Sequence, residues 1–360
     1  MAGGYIVQRG KEIMSMLYEY IMMIEWQQVV MWAIGGLLIF LAIRFDMEPT
    51  LLLPMGFGAI LVNLPLSGAV DQGNEAGIID ILFQACIQNE LFPLLLFIGI
   101  GAMIDFGPLL QNPKLLLFGA AAQFGIFLTF SLASLVGFEM KDAASIGIIG
   151  AADGPTSIFV ANYLDSHYKG AILVAAYSYM ALVPIIQPPI IKLLTTKKER
   201  LIRMPYEQKN VSKTVRILFP IVITVIVGLV APRSVALIGF LMFGNLIREC
   251  GVLRILSETA QKELSNLVTL LLGITVASTM RGEDFLRVDT LIILGLGLFA
   301  FIFDTAGGVM LAKLMNLFCK KKVNPMVGAA GISAFPMSAR VIHKMGLKED
   351  NQNFLLMHSI

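Results

Sequence analysis

The sequence predicts an all-α polytopic membrane protein of about ten membrane segments, arranged in two inverted repeats that each contain a broken or re-entrant helix. Hydrophobic residues make up 57% of the 360-residue chain and charged residues only 14%, whereas soluble domains are about 45–50% apolar and about 25% charged. Apolar stretches recur along most of the chain, and a bilayer-spanning helix needs roughly 20 mainly apolar residues. Two parts of the sequence, about 175 residues apart, also resemble each other.

The apolar stretches justify the membrane segments one by one. Residues 1–27 precede them and predict an N-terminal surface helix, because charged residues such as Arg9 and Lys11 interrupt any continuous apolar core of a signal peptide. Several of the stretches are short or broken by glycine and proline, so we expect about nine to eleven segments, some of them re-entrant. The stretches are about 28–43, 50–66, 91–104, 115–137, 143–163, 170–191, 217–232, 234–247, 264–279 and 290–318.

Short motifs recur in the same order in both halves of the chain. Residues 95–100 resemble 270–275, residues 115–119 resemble 291–295, and residues 150–153 resemble 328–331. Repeats with a broken helix in corresponding positions are typical of transporters that bind their substrate near the membrane midplane. We therefore divide the chain into a first membrane repeat region (28–191), a basic linker (192–216) and a second membrane repeat region (217–360).

The basic linker predicts the orientation in the membrane. It is rich in lysine and arginine, and Lys320, Lys321 and Lys322 form a second basic loop. Positively charged loops remain on the cytoplasmic side, so we place both loops there. The sequence contains no P-loop, no dinucleotide-binding glycine motif, no HExxH motif, and no metal-binding spacing among its three cysteines and three histidines. These absences argue against ATP hydrolysis and against a redox cofactor.

The residues most suggestive of chemistry lie at 148–157, where Asp153 is followed by Gly154 and Pro155. Glycine and proline break a helix, and backbone groups freed inside a membrane must be satisfied by protein or by a wet cavity. A carboxylate there is costly unless it is paired or hydrated, and such residues are functional by default. Asp153 and the broken backbone offer oxygen ligands for a small hard cation, or a proton acceptor. The alternative is a helix kink with a structural aspartate.

A second broken motif spans residues 324–340 and contains Asn324, Gly328, Ser333 and Arg340. Asn324 and Ser333 supply neutral oxygens. Arg340 supplies a fixed positive charge suited to a carboxylate or another anion, although an arginine at a helix end can also extend to the membrane interface for solvation.

Two other residues are candidates within apolar sequence. Tyr179 could donate a proton or hydrogen-bond a substrate carbonyl, but a membrane tyrosine is often an interfacial anchor. Asp304 is a second carboxylate in apolar sequence and a minor candidate for a pathway residue. The residues alone therefore indicate an ion-coupled membrane protein with a broken-helix site.

At these motifs the sequence resembles the β subunits of the sodium-pumping, biotin-dependent decarboxylases, which serve oxaloacetate, methylmalonyl-CoA and glutaconyl-CoA decarboxylases. The resemblance covers nearly the whole chain from about residue 30. The stretches that carry it are 48–58, 101–110, 119–125, 153–156, 243–249 and 338–341.

The resemblance implies a membrane enzyme subunit that decarboxylates carboxybiotin, consumes a proton and exports sodium. It implies sodium ion and carboxybiotin as the groups bound, in the cytoplasmic (inner) membrane of a prokaryote. The expected partners are a carboxyltransferase, a biotin carrier and a small membrane subunit in an oligomeric assembly, with the lipid bilayer around it and no nucleic acid. A sodium-coupled secondary transporter of an organic anion is the alternative, since broken helices suit it equally well.

The resemblance also implies a role for each matching residue. Asp153 would bind sodium and take part in proton exchange, and Tyr179 would lie in the coupled path. Asn324 and Ser333 would belong to the sodium site, Arg340 would lie near the carboxybiotin or the proton path, and Gly154, Pro155 and Gly328 would support the two motifs. Family members continue beyond residue 360 into a further turn and helix, so we expect the second repeat region to be truncated at its C-terminal end.

Overall fold

The fold is all-α. The computed structural model describes residues 18, 22–46, 49–71, 76–111, 116–204, 211–318, 322–332 and 334–359, and within these ranges it contains helices and no strand. The expected fold class is thereby confirmed. The surface helix predicted for residues 1–27 lies almost entirely outside the described residues, and so does Ser333.

The described helices follow one another through short turns. In the first half they are α1 (Trp26–Phe45), α2 (Pro49–Val62), α3 (Ile78–Leu82) with a π-helical continuation (Phe83–Gln88), α4 (Leu91–Met103), α5 (Gly107–Gln111), α6 (Leu116–Val136), α7 (Met140–Gly147) with a 3-10 continuation (Ile148–Ala151), α8 (Gly154–Tyr163) and α9 (Lys169–Leu194). The second half contains α10 (Lys197–Arg200), α11 (Lys213–Val230), a 3-10 turn (Pro232–Ser234), α12 (Val235–Cys250), α13 (Arg254–Thr259) with a π-helical continuation (Ala260–Leu264), α14 (Ser265–Val276) with a 3-10 continuation (Ala277–Thr279), α15 (Gly282–Phe285), α16 (Val288–Phe318), a 3-10 helix (Pro325–Gly331), α17 (Phe335–Glu349) and α18 (Leu356–Ser359).

Within the described residues, five helices are long and apolar enough to cross a membrane, namely α1, α6, α9, α11 and α16. The pair formed by α3 with its π continuation and α4 adds a sixth span if counted as one, with a bend of 57° between its parts. Leu229 and Val230 at the end of α11 are each 80% exposed. A bundle with so apolar an exterior is suited to a bilayer.

Several predicted segments have different boundaries in the structure. The stretch predicted at 91–104 is the second part of the bent pair that begins at Ile78. The stretch at 143–163 is two short helices separated by a break, because Gly154 and Pro155 begin a new helix there. The flanking helices α9 and α11 extend into the predicted linker, up to Leu194 and from Lys213.

Ion pairs and polar contacts mark the two ends of the bundle. At one end, which we call the basic end, Arg200 Nε lies 2.7 Å from Glu349 Oε1, and Arg216 Nη2 lies 2.9 Å from Asp105 Oδ1. At the other end, which we call the opposite end, Arg281 forms an ion pair with Asp80.

Two broken hairpins enter the bundle from these two ends. The first hairpin (residues 140–163) has its base at the opposite end, where Asp142 Oδ1 accepts hydrogen bonds from Ser166 Oγ (2.7 Å) and His167 N (2.9 Å). The second hairpin (residues 324–349) has its base at the basic end, because the flanking residues Asn324 and Glu349 both contact Arg200. The two hairpins therefore point toward each other inside the bundle.

Candidate functional site

The tip of the first hairpin presents Asp153 on a broken backbone. The 3-10 continuation of α7 ends at Ala152, which adopts a left-handed conformation with φ 50°. Asp153 is extended and precedes the first turn of α8, where Pro155 lacks the amide hydrogen that a first turn leaves unpaired. The positive end of the α8 dipole favours negative charge at this position. Left-handed backbone at a residue other than glycine costs about 1–2 kcal/mol and is often found at functional sites.

Hydrogen bonds hold Asp153 in place. Thr156 Oγ1 donates to Asp153 Oδ2, and Ser157 donates to the main-chain oxygen of Asp153 from its Oγ (2.8 Å) and its amide nitrogen (3.0 Å). The residue is only 8% exposed. The carboxylate and the Thr156 hydroxyl together provide neighbouring oxygen atoms, the ligands that hard cations prefer.

Tyr177, rather than Tyr179, is the tyrosine that contacts the Asp153 motif. A Cβ placed on Gly154 would lie 2.2 Å from the Tyr177 ring, so the ring rests directly against the glycine. The Tyr177 hydroxyl is buried, and no described residue accepts or donates a hydrogen bond to it. Tyr179 instead donates from its hydroxyl to the Leu294 carbonyl of α16. The sequence interpretation passed over Tyr177.

The second hairpin crosses α16 at very close range. A Cβ on Gly328 would lie 2.1 Å from the Gly308 carbonyl oxygen, and a Cβ on Gly308 would lie 2.0 Å from the Gly328 carbonyl oxygen. Only glycine at both positions permits this crossing. Ala334 N then donates to Ala151 O of the first hairpin at 3.3 Å. The two tips thus touch next to Asp153.

The amide of Asn324 is engaged at the base of the second hairpin. Its Nδ2 donates to the carbonyls of Arg200 and Ile202, each at 2.9 Å, and its Oδ1 accepts from Met326 N at 3.1 Å. In this structure the described side-chain contacts of Asn324 are therefore with its own hairpin and the linker. Ser333 directly precedes Ala334 of the tip contact but is outside the described residues.

Gln187 connects α9 to the second hairpin and was missed by the sequence interpretation. It is fully buried; its Nε2 donates to Ala329 O (3.0 Å) and its Oε1 accepts from Ser338 Oγ (2.8 Å). Prolines on both sides of Gln187 were the available signal, because a proline-interrupted membrane helix often lines a site.

Arg340 lines a cavity of about 730 Å³ near the basic end. The cavity is bounded by four basic side chains, two acidic ones and apolar residues of α9 and α17. The charged lining residues are Lys192, Arg340, Lys344, Lys348, Asp46 and Glu349. An apolar wall with an excess of positive charge fits a molecule that has a flat apolar ring and a carboxylate.

Comparisons with known proteins identify the class. Residues 27–360 match the family model described as the Na+-transporting oxaloacetate decarboxylase beta subunit. The methylmalonyl-CoA decarboxylase subunit beta of Propionigenium modestum is 49% identical, over 92% of this chain and 89% of its own length. The oxaloacetate decarboxylase beta chain of Klebsiella pneumoniae is 45% identical, over 92% and 90%. The glutaconyl-CoA decarboxylase subunit beta of Acidaminococcus fermentans is 49% identical, over 93% and 88%.

The chain belongs to the family of membrane β subunits of sodium-transporting, biotin-dependent decarboxylases. It is a multi-pass membrane protein and the membrane subunit of a multi-subunit decarboxylase, and it couples decarboxylation to sodium transport. The expected family, enzyme class and bound groups, sodium ion and carboxybiotin, are thereby confirmed, and the organic-anion transporter is not favoured.

Proposed function

We propose that Asp153 is the sodium-binding carboxylate and that the cavity around Arg340 receives carboxybiotin. The observation that carries the proposal is the contact between the two hairpin tips, Ala334 N to Ala151 O, which joins the second motif to the backbone beside Asp153. An event that displaces the second hairpin at the basic end would therefore be transmitted to the sodium site through this contact. The expected roles of Asn324 and Ser333 as further sodium ligands remain predictions.

We propose that the basic end faces the cytoplasm, in the inner membrane of a bacterium. The positive-inside rule supports this orientation, because the short connections at that end carry Arg200, Arg203 and Lys213. The first hairpin would then enter from outside and the second from the cytoplasm. Sodium leaving outward would pass from one hairpin to the other near the midplane.

We also propose that the two membrane repeat regions, 28–191 and 217–360, are related by inverted topology. Each region contains a π-helical segment before an apolar helix, Phe83–Gln88 before α4 and Ala260–Leu264 before α14. Each also ends in a broken hairpin, and the two hairpins enter from opposite ends. Inverted repeats with paired broken helices are a recurrent architecture for transport coupled to ion binding.

The residues of the cavity suit the substrate. Decarboxylation breaks the N–CO₂⁻ bond of carboxybiotin, releases CO₂ and places a proton on the ureido nitrogen. The Arg340 guanidinium would hold the carboxylate through two parallel hydrogen bonds. Pro184, Pro188 and Met337 of the cavity wall would pack against the ring of the substrate. We propose that a carboxyltransferase and a biotin carrier deliver the substrate, with a small membrane subunit and further copies of the chain completing the assembly.

The test compares two aspartates on either side of α8. Asp153→Asn removes the buried carboxylate charge, whereas Asp165→Asn removes an exposed carboxylate that pairs with Lys169 at 2.8 Å. Each variant is assembled with its partner subunits in inverted vesicles, and sodium uptake and decarboxylation are followed together. We expect Asp153→Asn to lose both activities and Asp165→Asn to retain both.

The proposal fails if Asp153→Asn pumps sodium at the wild-type rate. It also fails if the two variants lose activity to the same extent, because the loss would then reflect general damage to the hairpin. Sodium-dependent thermal stabilisation of the detergent-solubilised protein gives an independent readout, which Asp153→Asn should abolish and Asp165→Asn should preserve.

A further inference from the structure

Asp304 is a second buried carboxylate, outside the proposed sodium site. It lies in the middle of α16 and is 1% exposed. Its Oδ1 accepts a hydrogen bond from Ile126 N of α6 at 3.1 Å. Its Oδ2 is buried, and no described residue forms a hydrogen bond with it.

The surroundings of Asp304 leave no room for a coordinated metal ion. A Cβ on Gly150 would lie 2.4 Å from Asp304 Oδ2 and 2.8 Å from the Ala300 methyl, and a Cβ on Gly125 would lie 2.5 Å from Asp304 Oδ1. Hard cations bind through about six oxygens, and the atoms packed against this carboxyl are mainly carbon. A proton on Oδ2 requires no additional space.

The charge balance around Asp304 also favours a bound proton. Among the described residues, no lysine, arginine or histidine forms an ion pair with it. The elements packed against α16 are α6, α7 with its 3-10 continuation, α9, α15 and the 3-10 helix of the second hairpin. An unpaired charge buried in such surroundings is so costly that the carboxyl is neutral at rest.

The titratable groups on those elements are few. No titratable side chain occurs in α6, in the 3-10 continuation of α7 or in the 3-10 helix of the second hairpin. The others lie on α7, α9 and α15, and Asp153 follows shortly after the 3-10 continuation of α7. They are Lys141, Asp142, Lys169, Tyr177, Tyr179, Lys192, Glu283 and Asp284.

Polar contacts lead from the position of Asp304 toward the basic cavity. The next residue, Thr305, has its Oγ1 3.5 Å from Gln187 Nε2. Gln187 Oε1 accepts from Ser338 Oγ at 2.8 Å. Ser338 follows Met337, which lines the cavity. A buried polar sequence of groups thus extends from beside Asp304 to the cavity proposed for carboxybiotin.

We infer that Asp304 is a proton-carrying site between α16 and the tip of the first hairpin, separate from the sodium site at Asp153. The inference rests on the proposed function, because decarboxylation of carboxybiotin consumes a proton. The O–H bond of Asp304 breaks, the proton moves toward the cavity and reaches the ureido nitrogen, and a proton from the opposite end restores the acid. The two carboxylates thus divide the work: Asp153 holds the cation and Asp304 holds the proton.

The variant that tests this inference is Asp304→Asn, which resembles the protonated acid and keeps an acceptor for Ile126 N but carries no exchangeable acid proton. The control is Thr129→Val, which removes a buried hydroxyl on α6 that no described residue hydrogen-bonds. Infrared spectra of each protein in lipid are recorded at saturating sodium, in H₂O and in D₂O, so that Asp153 is ionised. We expect an isotope-sensitive C=O band of a protonated carboxyl that is lost in Asp304→Asn and retained in Thr129→Val.

The reconstituted complexes supply the second readout. We expect Asp304→Asn to lower decarboxylation and sodium uptake by about 100-fold, the scale of a lost proton-transfer group, while sodium still stabilises the protein against heat. The inference is overturned if the band persists in Asp304→Asn, or if this variant pumps at the wild-type rate. If the variant does not assemble, absence of the band from the wild-type spectrum overturns it. A wild-type complex that decarboxylates without taking up sodium would instead contradict the proposed function, and the band would still decide whether Asp304 is protonated.

Discussion

The crossing of the second hairpin over α16 predicts opposite effects for one substitution at two places on the same helix. Gly308→Ala puts a methyl group 2.0 Å from the Gly328 carbonyl oxygen, whereas Gly295→Ala puts one where no atom lies within 4 Å. Replacing glycine by alanine within a helix stabilises it by about 0.5–1 kcal/mol. Overpacking costs about 1–3 kcal/mol, at the upper end here because the obstructing atom belongs to the backbone.

We therefore expect Gly308→Ala to lower the free energy of unfolding by about 1–2 kcal/mol and Gly295→Ala to raise it by about 0.5 kcal/mol. Thermal unfolding of the detergent-solubilised protein measures both, with the wild type as reference. Sodium uptake should fall in Gly308→Ala, because a second hairpin lifted from α16 no longer holds Ala334 against Ala151. If both variants are stabilised to the same extent, the close crossing does not exist in the membrane and the reasoning is refuted.

Three further predictions concern polar groups. Tyr179→Phe should destabilise the protein by about 1 kcal/mol, because it leaves a buried carbonyl without its donor, whereas Tyr177→Phe should leave thermal stability unchanged or raised; equal losses in a melting experiment would contradict this. The Arg203 guanidinium holds the pKa of Asp350 below its ordinary value, so this pair stabilises the fold above the ordinary aspartate pKa and ceases to do so as the pH falls through the lowered pKa; the difference in melting temperature between wild type and Asp350→Asn should shrink in acid, and a difference that does not depend on pH would exclude the ion pair as its source. Arg340→Lys should raise the KM for the carboxylated carrier less than Arg340→Gln does, since lysine keeps the charge but loses the paired donors; identical values would remove Arg340 from the binding step.

The sequence sufficed to predict the membrane class, the break at Asp153 and the second broken motif, because glycine, proline and an intramembrane carboxylate are strong local signals. It could not select between Tyr177 and Tyr179. These residues are two positions apart on a helix of 3.6 residues per turn, so they face different neighbours, and only the packing of α9 shows which one meets Gly154. The environment of Asp304 was equally hidden, since Gly125, Gly150 and Ala300 are brought together by tertiary packing.

The boundaries of the segments were the least accessible part. Hydropathy registers residues 143–163 as one apolar stretch, but Gly154 and Pro155 turn the chain back on itself. The engagement of Asn324 by the carbonyls of Arg200 and Ile202 depends on residues more than 120 positions away in sequence, a distance at which no local pattern carries information. Long-range polar contacts of this kind require the structure.

The meeting of the two hairpin tips has an electrical consequence. The basic cavity extends to Met337, three residues from the Ala334 contact with Ala151, so water and ions from that end come close to the tips. A membrane potential falls mainly across the part of a protein that water does not reach, and moving one charge through 100 mV is worth about 2.3 kcal/mol. Much of the voltage would therefore be concentrated over the few residues between the tips. A sodium ion held by Asp153 would need only a short displacement to traverse most of the field, and the pumping rate should be strongly voltage-dependent although no helix moves far.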